Sequence, residues 1–361
     1  MLKGLKGVVA AQTCLSLVDG TNGVLLYRGE YANQLALKKS FEEVAYFIWN
    51  GTWPSEKELQ SLSNMLRLKR NLPNHVKAVL DCLPLNVSIM SALRTAISAL
   101  GTENVKWKPT VQEAIEMVAI TPTIISYWYH KVKGQPFIYP REDLGFVANF
   151  LYMLKGEEPN AVHVRALETY MVLTIEHGLN ASTFSARVTA STESDMVSAI
   201  TSAIGTMKGP LHGGAPTGVI DMLNEIQEIE HAEQWIENKL SNNERIMGFG
   251  HRVYKTRDPR AEALRQVVQT IGKDDPWLLL ANQVEEMVID HLEKWKPGRK
   301  LYTNVEYYAA AVMKAIEMEP ELFTPTFSAS RMVGWTAHVL EQASDNTLYR
   351  PQAEYIGKVP V

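Results

Sequence analysis

Two histidines of this chain lie beside glycines in sharp turns. His212 sits in Met207-Lys208-Gly209-Pro210-Leu211-His212-Gly213-Gly214-Ala215-Pro216, and His251 in Met247-Gly248-Phe249-Gly250-His251-Arg252-Val253-Tyr254-Lys255. Glycine lets backbone approach a ligand closely, and histidine exchanges protons near neutral pH, so the repeated pairing points to a reaction centre. Pro216 suits the first position of a helix. That predicts His212 just before a helix N-terminus, whose partial positive charge keeps imidazole neutral. A neutral imidazole can donate a hydrogen bond to a carbonyl oxygen turning into an enolate; the plain alternative is a turn histidine bonded to backbone.

Two arginines sit oddly for their local sequence. Asp258 is a natural N-cap and Pro259 a natural first residue, which places Arg260 in the first turn of a helix. Ser328 would likewise cap a helix with Arg331 at its third position. A cation there opposes the helix dipole by about 0.3–1 kcal/mol, and a bound anion would reverse that sign. Two such sites suggest a small dicarboxylate; an exposed arginine or an ion pair with a nearby carboxylate is the alternative for each. His177 ends a helical pattern, where the dipole favours histidine anyway, and Glu306 follows a possible cap, Asn304. Neither signals a site alone.

Other chemistries fit poorly. Gly248-Phe249-Gly250 lacks a preceding strand and the third glycine of a dinucleotide fingerprint. No Gly-Lys-Ser/Thr follows the Gly209–Gly214 turn, so a phosphate-binding loop is not indicated. His177, His212 and His251 lack close metal-ligand spacing, and neighbouring arginines would repel a cation, so no metal is expected.

The bulk composition agrees. With 361 residues, 46% apolar and 21% charged, the chain can bury a full core and two lobes. A net charge of −4 gives no footprint for nucleic acid. Two cysteines make no disulfide framework, which suggests the cytoplasm. Lys3 and Lys6 precede a short apolar run, but Gln12, Thr13, Ser16 and Asp19 interrupt it, so it is not read as a signal peptide. No stretch approaches the roughly 18 apolar residues of a membrane span.

The elements that must position these residues are helices. Capping boxes at Ser40/Glu43, Ser55/Glu58 and Thr110/Glu113 open apolar-periodic segments, with glycine stops at Gly51 and Gly101. Pro122 predicts a kink or break within 110–130. Further helical patterns cover 160–177, 195–207, 276–295, 304–318 and 328–343. Strand signals are confined to 14–18 and 24–27, joined by Asp19-Gly20-Thr21-Asn22-Gly23 as a hairpin. A mainly α fold follows. The more charged stretch 214–323, bracketed by glycine and proline turns, predicts a small helical domain set into a large one made of 1–213 and 324–361, with the site at the join.

Gly209-Pro210-Leu211-His212-Gly213, Gly248-Phe249-Gly250-His251-Arg252-Val253, Asp258-Pro259-Arg260, Asn304-Val305-Glu306 and Ser330-Arg331 resemble the citrate synthase family in order and spacing. Tyr27-Arg28-Gly29 and Arg350-Pro351 extend the likeness over essentially the whole chain, whose length resembles the short dimeric type. The resemblance implies a nearly all-helical homodimer whose small domain closes over its substrates. It implies condensation of acetyl-CoA with oxaloacetate, hydrolysis of the citryl thioester, and no tightly bound cofactor. By position, Glu306 matches the base, His212 the enol stabiliser and His251 the acid at the oxaloacetate carbonyl. His177, Arg260 and Arg331 match oxaloacetate ligands, and Arg350 the arginine that reaches the partner's site. Arg245, Ile246, Met247, Gly248 and Phe249 match the coenzyme A loop, with Lys255 and Lys300 as phosphate partners. One departure stands out: the family's base is usually aspartate. A 2-methylcitrate synthase using propionyl-CoA, or a catalytically impaired binder of CoA or dicarboxylate, would carry the same motifs; a metal-assisted hydrolase is a more distant alternative.

Overall fold

The computed structural model describes the 361 residues except 1, 2, 6, 214–216, 252, 272–274 and 360–361. The early alternating segment forms its sheet: β1 (Ser16–Asp19) pairs antiparallel with β2 (Val24–Tyr27), from Ser16↔Tyr27 to Asp19↔Val24. A two-residue β3 (Glu30–Tyr31), which the sequence does not announce, continues the sheet beyond β2. Asp19 Oδ1 accepts from the N–H groups of Thr21 and Asn22 at 2.9 and 3.0 Å, fixing the hairpin turn.

Among the described residues, the elements that follow the sheet are helices. α1 (Ala32–Lys38), α2 (Phe41–Asn50), α3 (Glu56–Lys69), α4 (Asn74–Asp81) and α5 (Ile89–Ser98) lead into the long α6 (Val111–Val132). α7 (Phe146–Lys155), α8 (Ala161–Thr174), α9 (Ala181–Ser191) and α10 (Met196–Met207) follow. Then come α11 (Thr217–Ile226), α12 (Ile229–Ser241), α13 (Pro259–Ile271), α14 (Pro276–Trp295), α15 (Val305–Ala315) and α16 (Phe323–Ser344). α16 packs on α6, α8, α9 and α10, and its Trp335 is fully buried, as is Trp128 of α6. Along the later stretch α12 packs on α14 and α11 on α15, while α13 lies against α15, α8 and α1. Among the described residues no helix is long and apolar enough to cross a membrane.

All three capping boxes form, and Gly51 closes α2 in the left-handed region at φ 77°. α5 stops at Ser98, ahead of Gly101. α6 runs through Pro122 without the predicted break. Proline there removes one backbone hydrogen bond, while the buried residues on both sides, Ala114 to His130, keep the helix on course. Pro216, expected to open a helix, lies outside the described residues.

Candidate active site

The glycine-histidine turns are built by close packing. Gly248 has φ 84°, and a Cβ there would meet Tyr307 Cδ2 at 2.7 Å, so only glycine lets the loop lie flat on α15. Gly250 N–H donates to Tyr302 O at 2.7 Å and Asn304 N–H to Gly248 O at 2.9 Å, tying this loop to the segment ahead of Glu306. Asn304 caps α15 by accepting from Glu306 N–H at 2.9 Å, and its Nδ2 donates to Gly250 O at 2.9 Å. His251 and Glu306 are therefore held by one framework. His212 sits in a turn closed by its own N–H and that of Gly213, both donating to Gly209 O, and Thr324 of α16 donates to Gly213 O at 3.2 Å.

The hydrogen bonds assign the imidazole protons. The backbone N–H groups of Val253 and Tyr254 both donate to His251 Nδ1 at 3.0 Å. The ring proton then sits on Nε2, 3.3 Å from Arg260 Nη2, so two donors stand side by side. Ser182 N–H donates to His212 Nε2 at 3.3 Å, and the Ser182 hydroxyl lies 2.7 Å from the same nitrogen. A backbone N–H can only donate, which places the His212 proton on Nδ1. His177 Nε2 meets the Tyr254 hydroxyl at 3.1 Å, and the His177 and His251 rings are edge-to-face at 5.8 Å.

Burial sets the charges. It lowers both His212 and His251 to about 4, helped by the Arg331 charge at the first and Arg260 at the second. His177, half-buried, is pushed well below its ordinary value by burial and then by Arg260, Arg331 and His251. All three are neutral at pH 7. Burial raises the Glu306 carboxyl to about 7, against the pull of Arg260. For Arg260 burial opposes the charge, and the adjacent Asp258 more than restores it. Arg331 is buried too, with Nε donating to Thr174 O at 2.6 Å. Burial raises the Tyr170 hydroxyl, and the charges of Arg331, Arg260 and Glu306 all act on it, so these groups lie within electrostatic reach of one buried side chain.

The site thus brings together His177, His212, His251, Arg260, Arg331 and Glu306, with two local readings corrected. Arg331 is not in a first turn: α16 begins at Phe323, aided by Pro325 near its start, and Ser328 donates back to Thr324 O at 2.9 Å instead of capping. His177 is not in a last helical turn either. α8 ends at Thr174, where the buried Tyr27 hydroxyl lies 3.0–3.1 Å from the carbonyl oxygens of Val172, Leu173 and Glu176. Arg260 does lie in the first turn of α13, as expected, and it makes the ion pair with a nearby carboxylate, Asp258, that was the alternative to a bound anion. Ser182, Tyr254 and Tyr170 carried no sequence signal. Among the described residues, the N-terminus of α9, where Ser182 is the second residue, faces His212.

The remaining candidates are peripheral. In the loop after α12, Ile246 is buried, Arg245 and Met247 are exposed, and Phe249 bridges to Thr303. Lys255 and Lys300 are exposed. Arg350 lies exposed in the extended C-terminal tail, next to Tyr349, which packs edge-to-face on Phe184 of α9. The one group among the described residues with ligand atoms close enough to hold a cation is Glu233, Glu237 and His291, and it includes no histidine of the site.

A family model described as "Citrate synthase, C-terminal domain" matches residues 4–352. Citrate synthase 2 of Bacillus subtilis (strain 168) is 41% identical over 98% of this chain and 95% of its own length. A 2-methylcitrate synthase of Mycobacterium tuberculosis (strain H37Rv) is 39% identical over 98% of this chain and 90% of its own. The crystal structure of citrate synthase from Thermotoga maritima MSB8 superposes with a TM-score of 0.89 at 40% identity, covering 100% of this chain and 97% of that one.

Proposed function

This chain belongs to the citrate synthase family, and on that premise we propose how its cleft divides the reaction. The protein condenses acetyl-CoA with oxaloacetate and water to give citrate and coenzyme A, an acyl transfer without a tightly bound cofactor. Glu306 removes a methyl proton from acetyl-CoA. A thioester α-proton is far less acidic than a carboxylic acid, so the enol must be lowered as it forms. His212 does this by donating from Nδ1–H, a contribution of about 2.7–4 kcal/mol for one preorganised donor. The paired donors of His251 Nε2 and Arg260 Nη2 polarise the oxaloacetate carbonyl, and His251 gives its proton to the new alkoxide. His177, Arg260 and Arg331 hold the two carboxylates, joined by Arg350 from a second copy in a homodimer. The loop 245–249 takes coenzyme A through its backbone, with Lys255 and Lys300 at the phosphates. Residues 214–323 form the small domain that closes over both substrates, expelling water and raising the basicity of Glu306. The exposed, unpaired Cys14 and Cys82 suit a cytoplasmic enzyme.

One observation carries this reading: a buried carboxyl raised to about 7 and two imidazoles held neutral by burial stand around the same pair of buried arginines, Arg260 and Arg331, with Arg260 Nη2 3.3 Å from His251 Nε2. Thiol release from acetyl-CoA and propionyl-CoA, in competition with oxaloacetate present, tests it. A higher kcat/KM for acetyl-CoA is expected; preference for propionyl-CoA would make the enzyme a 2-methylcitrate synthase, as one relative is named. One methylene discriminates by only about 1–3 kcal/mol. Thermal stabilisation by oxaloacetate with no thiol release would identify an inactive binder.

A further inference from the structure

The two histidines assigned to oxaloacetate come from distant parts of the chain, and one short strand touches the surroundings of both. At its start, the Ser16 hydroxyl donates to Glu176 Oε1 at 3.0 Å and accepts from Gly178 N–H at 3.2 Å. It therefore clamps the residues on either side of His177. Glu176 is itself buried and fixed from beneath by His338 Nε2 at 3.1 Å. Just beyond the other end of the strand, Gly20 O accepts from Lys255 N–H at 2.7 Å. A Cβ on Gly20 would lie 2.2 Å from Val253 O, so turn and loop are in full backbone contact. Val253 N–H is one of the two donors that orient His251. Gly23, closing the same turn, lies against Thr256 and Arg257 O.

We propose that β1 is a strut that sets the separation of His177 and His251, with Ser16 and Gly20 as positioning residues for the bound keto acid. A strand rises about 3.3 Å per residue, and β1 is kept straight by its pairing with β2, whose Tyr27 is anchored at the end of α8. Pushing one end moves the other. The edge-to-face spacing of 5.8 Å between the rings, and the contact of Tyr254 with His177, follow from where the strut places the 253–257 loop. Neither Ser16 nor Gly20 reaches the reacting atoms, and the inference rests on the assignment of both histidines to oxaloacetate.

Gly20→Ala forces the loop off the turn, because the atom it meets is backbone and cannot rotate away. Displacement of about 1 Å in a reacting group costs on the order of a hundredfold, and kcat/KM for oxaloacetate should fall by about that factor. Ser16→Ala should raise the KM for oxaloacetate severalfold and leave the KM for acetyl-CoA unchanged, whereas Thr21→Ala, on the exposed tip of the turn, should change neither. The double variant decides between a strut and two local defects. Once one end is released the second substitution adds little, so the Gly20→Ala, Ser16→Ala enzyme should resemble Gly20→Ala alone; multiplied effects, or single effects within twofold of wild type, overturn the proposal. A crystal structure of Gly20→Ala supplies a reading free of activity: an unchanged ring separation also overturns it. A wild-type protein that releases no thiol would instead refute the assigned reaction, and the ring separation in Gly20→Ala then decides the strut by itself: a changed separation upholds it and an unchanged one overturns it.

Discussion

Asp258 grips Arg260 at three points and still has an oxygen for α15. Its Oδ1 accepts from Arg260 N–H and Nε–H, both at 3.0 Å, and its Oδ2 accepts from Nη2–H at 2.8 Å and from Val305 N–H at 3.1 Å. The same carboxylate is N-cap, counter-ion and link to the residue before Glu306. That arrangement removes the penalty of a cation in a first helical turn and aims Arg260 Nη2 towards His251.

Asp258→Asn keeps the shape and deletes the charge. Both side chains are almost wholly buried, and stripping one partner from a buried pair costs about 3–5 kcal/mol. The melting temperature should drop by several degrees. Asp258 also helps raise Glu306 while Arg260 lowers it, so the acid limb of the rate profile should move to lower pH. A variant that melts with wild type would refute the role assigned to Asp258.

The pH dependence of wild type follows from burial. Only ionised Glu306 can accept a proton, and its carboxyl lies at about 7. The histidines at about 4 do not titrate above pH 5. Thiol-release kcat/KM should therefore fall about tenfold per pH unit below about 7, in one limb. The stability effect has the opposite sense. The folded chain holds this proton between the ordinary 4.5 and about 7 while the unfolded chain releases it, so the contribution of Glu306 to stability diminishes as pH rises through that window. A rate profile flat from pH 5.5 to 8 would remove Glu306 as the base.

Replacing the base tests the same assignment directly. Glu306→Gln is nearly isosteric and cannot take a proton, so condensation should slow by about 10²–10⁴-fold. Oxaloacetate should still stabilise the fold, since its carboxylates are assigned to arginines and His177. Undiminished turnover would show that another group removes the proton.

The pattern of what the sequence revealed has a physical basis. His212, His251, Arg260 and Glu306 stand in short strings whose glycines, prolines and caps act within a few residues, and the capping boxes of α2, α3 and α6 are equally local. Where the deciding partner is remote, local rules mislead. Tyr27 sits at the end of α8 across 149 positions, leaving His177 beyond the helix. Ser328 has the sequence of a cap, yet Phe323 and Leu322 are buried and carry the helix back a full turn or more. The raised carboxyl of Glu306 depends on enclosure by other segments, which no spacing encodes.

Ser182 offers the sharpest separation of chemistry from packing. Its hydroxyl lies 2.7 Å from His212 Nε2, and it also accepts from the buried Trp335 Nε1 at 3.0 Å. Ser182→Ala removes the hydroxyl whose one proton His212 Nε2 shares with Asn180 Oδ1 at 2.8 Å, leaving only the N–H at 3.3 Å to hold the His212 tautomer. Fewer molecules then present Nδ1–H to the enol, and kcat should fall by roughly tenfold, a fraction of the effect of losing the whole donor. The KM for oxaloacetate should stay near wild type, because the residues assigned to its carboxylates are untouched. Stability should fall by about 1–3 kcal/mol for the orphaned indole N–H. Trp335→Phe provides the control: it disturbs the same packing but leaves the Ser182 hydroxyl on His212, so it should lower the melting temperature with kcat within about twofold of wild type. If Trp335→Phe slows turnover as much as Ser182→Ala does, the serine acts through packing alone and the assigned tautomer of His212 fails.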